Sequence, residues 1–446
     1  MLRRFIFNIL IAIEISLPAF SWESHYLLSY VALKGMEEVS AEPKIVAETL
    51  DAFVKAEQKR LILLLKETEL LSARTLAHYP PMPESLAFKA EAKKDLSLTK
   101  QFLMSLRLNP DIAYPLFVLK GPNTAKASDK SFSPAEIKTA PLSTLAQLEG
   151  GRALKKIMPG QKISALEIMA TATEEPDHGM DFNLFANNNS WFGALYNFGP
   201  QPFGNPNLSY GTQAPFHMGF YDEPAILYMA ANFLKQCYPE YRINQFIALS
   251  RFAFATGHPY WGYRFLGMAN HYLQDLTQPY HARVAPDMSI GKLIGINALA
   301  TMGYEKLKDN AIQILSNKHL ALENYQFGFL LAALKAPLAH VKILGALLDK
   351  ENDQRYGAFS DSYARMVVAK ESYARAASID AELNAVVPPR ILDANFIFDG
   401  GAGVDLHGEI TKTKSESNEK LENSFLILMK SFGSHTRQSV RYVFAN

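Results

Sequence analysis

Apolar residues recur at helical spacing along most of this chain, and strand signals are sparse. Residues 43–77, rich in Ala, Glu, Lys and Leu, show the pattern most plainly. Residues 225–237, 261–276, 291–315, 324–348 and 361–376 read the same way. Ser133-Pro134-Ala135-Glu136 forms a capping box with proline at the first helical position. The chain is therefore expected to be all-α. A long interruption at about 182–216, densest over 186–215 in Asn, Gly, Pro and aromatics, reads as a functional rim. Pro388-Pro389 and Gly400-Gly401-Ala402-Gly403 mark a further break. The glycine run is not a phosphate loop, since no strand precedes it and no helix follows at once. Residues 409–422 read as a solvated helix face. Residues 327–348 have the length of a membrane span, but Lys335, Pro337, His340 and Lys342 make them a buried or amphipathic helix. No transmembrane helix is expected in the mature chain.

Composition excludes several classes. With 446 residues, 48% hydrophobic and 20% charged, the chain is neither collagen-like nor disordered. Its single cysteine, Cys237, rules out a disulfide scaffold. A formal charge of +1 supplies no basic field for duplex nucleic acid or anionic membrane. Residues 1–21 read as a secretory signal: Arg3 and Arg4, an apolar run interrupted by Glu14, Pro18, then Ala19-Phe20-Ser21 for cleavage. Export to a periplasm or beyond the cell is the expectation, and an uncleaved anchor the alternative. An exported fold without disulfides needs another staple, and metal is a candidate. Cleavage after Ser21 makes Trp22 the new N-terminus. Its α-amine and carbonyl oxygen can chelate a dication as a five-membered ring; otherwise Trp22 is an incidental aromatic.

The most informative segment is 268–283, MANHYLQDLTQPYHAR. His271 and Asp275 are four apart and share one helical face. Gln278-Pro279 then bends or ends the helix, and His281 turns toward a different point. Buried imidazole and carboxylate among Tyr272, Leu273, Leu276 and Tyr280 need partners. His319 and Glu323 repeat the four-residue spacing; with His281 they would complete a His-His-Glu zinc site. His217 lies in an aromatic stretch, FHMGFYD. Asp177 and His178 lie in the acidic turn Glu174–Asp181, and His25 follows the expected new terminus closely.

In this order, and above all in the string HYLQDLTQPYH, the chain resembles the zinc-dependent bacterial phospholipase C family, which shares a superfamily with the fungal single-strand-specific nucleases. The resemblance spans roughly residues 22–330. It implies a mainly helical domain holding three zinc ions. Trp22 and His25 would hold the first. His217, His271 and Asp275 would hold the second, with Asp275 bridging to the first. His281, His319 and Glu323 would hold the third. Asp177 would take the place of the family's active-site aspartate. The implied organisation is an enzyme domain over 22–348, with inserted helices at about 43–165 and the rim loop, followed by a helical C-terminal extension over 349–446. His178 reads as a loop or supporting histidine. His78, His258, His340, His407 and His435 match nothing in the family.

The implied chemistry is hydrolysis of a phosphoric ester, with clustered zinc neutralising phosphate and activating water. The His319/Glu323 pair resembles the lipase branch, which favours a phospholipase C-like activity on phospholipid with peripheral membrane contact. A nuclease acting on single-stranded nucleic acid is the alternative within the superfamily. The loop aromatics Trp191, Phe192, Tyr196, Phe198, Phe203 and Tyr210 suit a choline cage, base stacking or simple packing. A zinc-stapled helical protein without catalysis is the third reading.

Overall fold

The computed structural model describes residues 24–91, 96–119, 154–208, 210–335, 342–400 and 404–445. The signal segment, Trp22, the Ser133–Glu136 capping box and His340 lie outside the described residues. In chain order the α-helices are α1 (His25–Leu33), α2 (Leu50–Thr75), α3 (Leu98–Ser105), α4 (Ala165–Ala172), α5 (Ala214–His217), α6 (Ala225–Ala230), α7 (Pro239–Ala255) and α8 (Pro259–Asp275). They continue with α9 (Pro279–Ala282), α10 (Ile290–Thr301), α11 (Glu305–Lys335), α12 (Lys342–Leu348), α13 (Lys370–Asn384), α14 (Leu406–Thr411) and α15 (Glu416–Phe444). The fold is all-α as expected, with two minor antiparallel pairings. β1 (Pro43–Val46) pairs with β4 (Lys162–Ser164), and β2 (Phe117–Leu119) with β3 (Leu154–Lys156).

Local chemistry sets the helix ends. Thr49 caps α2 by accepting Ala52 N–H, and Ser415 caps α15 by accepting Asn418 N–H. Ser164 and Glu167 form a reciprocal capping box on α4. Proline opens α7, α8 and α9, where its missing N–H is no loss.

Several boundaries differ from the sequence reading. Residues 43–77 contain a helix only from Leu50, and 43–165 contains all four strands among the described residues. The 225–237 helix ends at Ala230 and passes into a 3-10 turn, Asn232–Lys235. The 291–315 helix breaks at Met302-Gly303-Tyr304, where Gly303 adopts φ 97°. The separate start near 324 does not exist, because α11 runs unbroken from Glu305. Residues 409–422 are only partly a solvated face: Ile410 and Leu421 belong to the core, and α15 continues inward from there.

The helix α8 is the axis of the molecule. It packs against α7, α4 and α15, while α1 lies between α4 and α15. One core groups Phe53, Phe246, Trp261, Phe265 and Tyr272 around α2, α7 and α8. A second groups Leu28, Leu322, Ile379, Phe425 and Phe432 around α1, α11, α13 and α15. The tail of the chain is thus packed directly onto the elements that carry the histidines.

The crossing of α4 and α8 is unusually close, and Gly267 permits it. A Cβ there would lie 2.4 Å from the Met169 carbonyl oxygen and 2.5 Å from Ala172 Cβ. His271 is one turn further along the same face. Gly267→Ala is expected to push the helices apart and destabilise the fold by roughly 1–3 kcal/mol, the usual range for overpacking. Thermal unfolding measures this, and an unchanged melting temperature would contradict the close crossing.

Candidate metal centre

Three groups of potential ligands lie side by side, all buried except for the partly exposed His319: His25, His271 and Asp275; Asp177, His217 and His271; and His281, His319 and Glu323. Within each group the ligand atoms lie within 4.8 Å of one another. The first two share His271. Asp275 presents its two oxygens to different partners. Oδ1 is 3.2 Å from His25 Nε2, while Oδ2 is 2.8 Å from His217 Nδ1 and 3.4 Å from His271 Nε2. In the third group His319 Nε2 is 2.8 Å from His281 Nε2 and 2.7 Å from Glu323 Oε1.

Neighbouring groups fix the tautomers. A carbonyl oxygen can only accept, so His271 donates Nδ1–H to Thr173 O (2.7 Å) and His281 donates Nδ1–H to His217 O (2.9 Å). The Gln274 amide nitrogen donates to Ser29 Oγ and Thr436 Oγ1, so its oxygen is the atom that accepts from His25 Nδ1 at 2.8 Å. All three rings therefore turn an Nε2 lone pair inward, as imidazoles around a metal do. Two ligands on one tetrahedral ion, each about 2.0–2.1 Å away, are roughly 3.3 Å apart. The inward-facing pairs in these groups, 2.7 to 3.8 Å apart, bracket that edge. The residues present fit a metal.

The supporting residues come from far apart in the chain. Thr173 O is a carbonyl at the end of α4, of the kind a helix terminus leaves open. Gln278 donates to Glu323 Oε1 at 3.0 Å and accepts Tyr280 N–H, which fixes the start of α9. Tyr280 O–H and Lys318 Nζ, beside His281 and His319 in sequence, both reach Asp380 Oδ1 on α13. Thr436 reaches the centre from α15.

Electrostatics separates the two aspartates. Burial pushes the Asp275 carboxyl up, but His271, His217 and His25 overcome it and hold its pKa well below the ordinary value. Burial pushes Asp177 up as well, and there the charges of Asp275 and Glu174 add to it instead of opposing it, so its pKa lies well above the ordinary value. Burial lowers His271 well below the usual imidazole range. Burial also disfavours charge on His25, but Asp275 wins and raises its proton affinity. Burial opposes ionisation of Glu323, yet His319 and His281 bring it to about 2.

The structure brings together His25, Asp177, His217, His271, Asp275, His281, His319 and Glu323; Trp22 lies outside the described residues. His178 lies beside Asp177 in the chain but stands apart from the ligand groups. Burial and the Arg264 guanidinium lower its pKa to about 3, and it belongs to none of the three groups. His258 is bound between Glu48 and Glu57, His435 between Tyr363 and Glu371, and His407 stacks on Phe329; His78 is exposed. Asp181 was not singled out as a site residue. It accepts Tyr272 O–H (2.6 Å), binds Arg242 (2.6 Å) and faces His217 Nε2 at 3.6 Å. Its closeness to Asp177 in sequence was a signal, but its partnership with Arg242 has none.

A cavity of about 600 Å3 opens over the third group, with His217, His281, His319 and Glu323 among the residues lining it. Its walls are mostly apolar, including Phe220, Leu227, Leu293 and Leu315. Lys308 is the one Lys or Arg among the lining residues. Of the loop aromatics only Phe203 and Tyr210 line it. Phe192, Tyr196 and Phe198 pack into the core, and Trp191 is exposed with its indole N–H on Asp111. No choline cage is built by those four. No helix of the described residues is long and apolar enough to cross a membrane. Comparison with protein-family models, with curated proteins and with solved structures finds no match.

Proposed function

We propose that this chain is an exported, zinc-dependent hydrolase of phosphoric diesters, phospholipase C-like, with three zinc ions held by side chains drawn from these groups. The observation that carries this reading is the convergence of inward lone pairs from His25, His271 and His281, with Asp177 3.7 Å from His271 Nε2. A purely structural site has no use for that further acid. Trp22, with His25, would complete the first site; His217, His271 and Asp275 would hold the second ion, and His281, His319 and Glu323 the third. Bound zinc would offset the phosphate charge and lower the pKa of water to about 7.

The protein's own groups supply the rest. Asp177 accepts Gln213 Nε2–H through Oδ1 (3.2 Å), while its buried Oδ2 has no hydrogen-bond partner among the described residues. That oxygen is placed to orient a water and take its proton as the water oxygen bonds to phosphorus. The phosphorus–oxygen bond to the leaving alcohol breaks, the alkoxide takes a proton from solvent water, and Asp177 returns its proton to solvent. The apolar cavity next to His319 suits an alcohol with hydrocarbon chains. A nucleic-acid strand would need cations along its backbone, and within the cavity Lys308 is the one Lys or Arg among the lining residues.

Assays of the purified mature protein on phosphatidylcholine and on single-stranded DNA test this. Release of diacylglycerol, abolished by chelator, is expected. Cleavage of DNA alone would move the protein to the nuclease reading. Bound zinc with neither activity would leave a stapled helical protein.

A further inference from the structure

The roof of the cavity is apolar on both sides. Helix α10, with the turns on either side of it, reads MSIGKLIGINALATMGY over 288–304, with Lys292 as its one charge. A helix apolar all round is normally buried, yet α10 has no fully buried residue. Leu293, Ile294 and Ile296 line the cavity from above. Leu299, Met302, Tyr304 and Leu307 are exposed, and across from them on α6 so are Ile226 and Met229; Met229 is 85% exposed and Met302 73%. Asn297 Nδ2–H to Ala230 O (3.1 Å) ties α10 to α6, so these side chains belong to one rim.

We infer that this rim, formed by α6, α10 and the start of α11, is a docking face for a lipid surface. Two features select that occupant. First, the rim is continuous with the apolar cavity, so a lipid leaving the surface meets hydrocarbon-like walls all the way to His319. Second, Lys292, Lys306 and Lys308 stand among the apolar residues of α10 and the start of α11 against Glu305 and Asp309, so the rim carries ammonium groups that can reach lipid headgroups. Apolar side chains with lysines in one amphipathic rim are the composition of interfacial elements. The inference deepens the proposed function by naming the surface from which the substrate would be drawn, and it rests on that reading.

The test is flotation of the mature, metal-loaded protein with vesicles of phosphatidylcholine and phosphatidylglycerol. The parent is compared with the double variant Met229→Glu, Met302→Glu, whose side chains lie outside the cavity lining. The variant is expected to lose at least about tenfold in vesicle partitioning, while its hydrolysis of a soluble nitrophenyl phosphodiester stays within about twofold of the parent. Parent protein that hydrolyses the soluble diester but does not float overturns the docking face and leaves the enzyme standing. Equal flotation of parent and variant also overturns it. Flotation lost in the variant, with neither protein hydrolysing any diester, supports the face and sinks the hydrolase. Sedimentation gives a second arm: a dimer that the double variant splits assigns the rim to a second copy of the chain and overturns the proposal. Met302→Trp gives a third. A blue shift of its added emission on mixing with vesicles supports the contact. Emission already blue in buffer and indifferent to vesicles overturns it.

Discussion

Asp275→Asn is expected to abolish hydrolysis and to release metal from two sites together. Both carboxylate oxygens face imidazole nitrogens, at 3.2 Å on one side and 2.8 Å on the other. The amide keeps the shape but removes the charge, and its NH2 group points hydrogens where a cation belongs. The rate should fall on the order of 10^3-fold, the scale of losing a preorganised electrostatic centre. Zinc content should fall by two ions per chain, with helical circular dichroism retained. Parent-like turnover and metal content in this variant would refute the bridging role.

Metal removal should have the second large effect, on stability. Without a cation, buried carboxylates and inward lone pairs stand within 4 Å of one another with only protons to relieve them. A ligand present at about 1,000 times its dissociation constant stabilises the native state by about 4 kcal/mol. At about 2.1 cal/mol/K of unfolding entropy per residue, a chain of 446 residues shifts its melting by only about 1 °C per kcal/mol, so chelation should lower the melting temperature by roughly 4–5 °C. Acid should act in the same direction. Asp275 raises the proton affinity of His25, so as pH falls a proton displaces the metal from its lone pair and apparent affinity drops. In the metal-free protein Glu323 follows the rule for a depressed carboxyl. Its contribution is full above its ordinary value of 4.5 and is lost as pH falls toward about 2. Melting curves with and without chelator across this range measure both effects. Curves that coincide at every pH would mean that no structural metal is bound.

The helical class and the centre's local pairs were legible because they are local quantities. A four-residue spacing places His271 beside Asp275, and His319 beside Glu323, in any helix. Proline at 279 ends α8 for a reason written in its ring. What brings His25 to Asp275, 250 residues away, or Gln274 to Thr436 is tertiary packing, on which periodicity is silent; there the family resemblance supplied the expectation for His25, and nothing supplied one for Thr436. The same limit hid Asp181, whose partner Arg242 lies on a helix that the sequence reading did not mark. The 291–315 boundary failed for a local reason: Gly303 ends α10 with a positive φ, and a run this apolar shows no periodic interruption there. That break gives the cavity its roof.

The most direct test of the account is a metal analysis of the exported, purified protein, joined to an anomalous-scattering map at the zinc edge from its crystals. The account predicts three zinc ions per chain: one between His25 and Asp275, one among His217, His271 and Asp275, and one among His281, His319 and Glu323. A protein free of metal, or one whose ions lie away from these side chains, would contradict it.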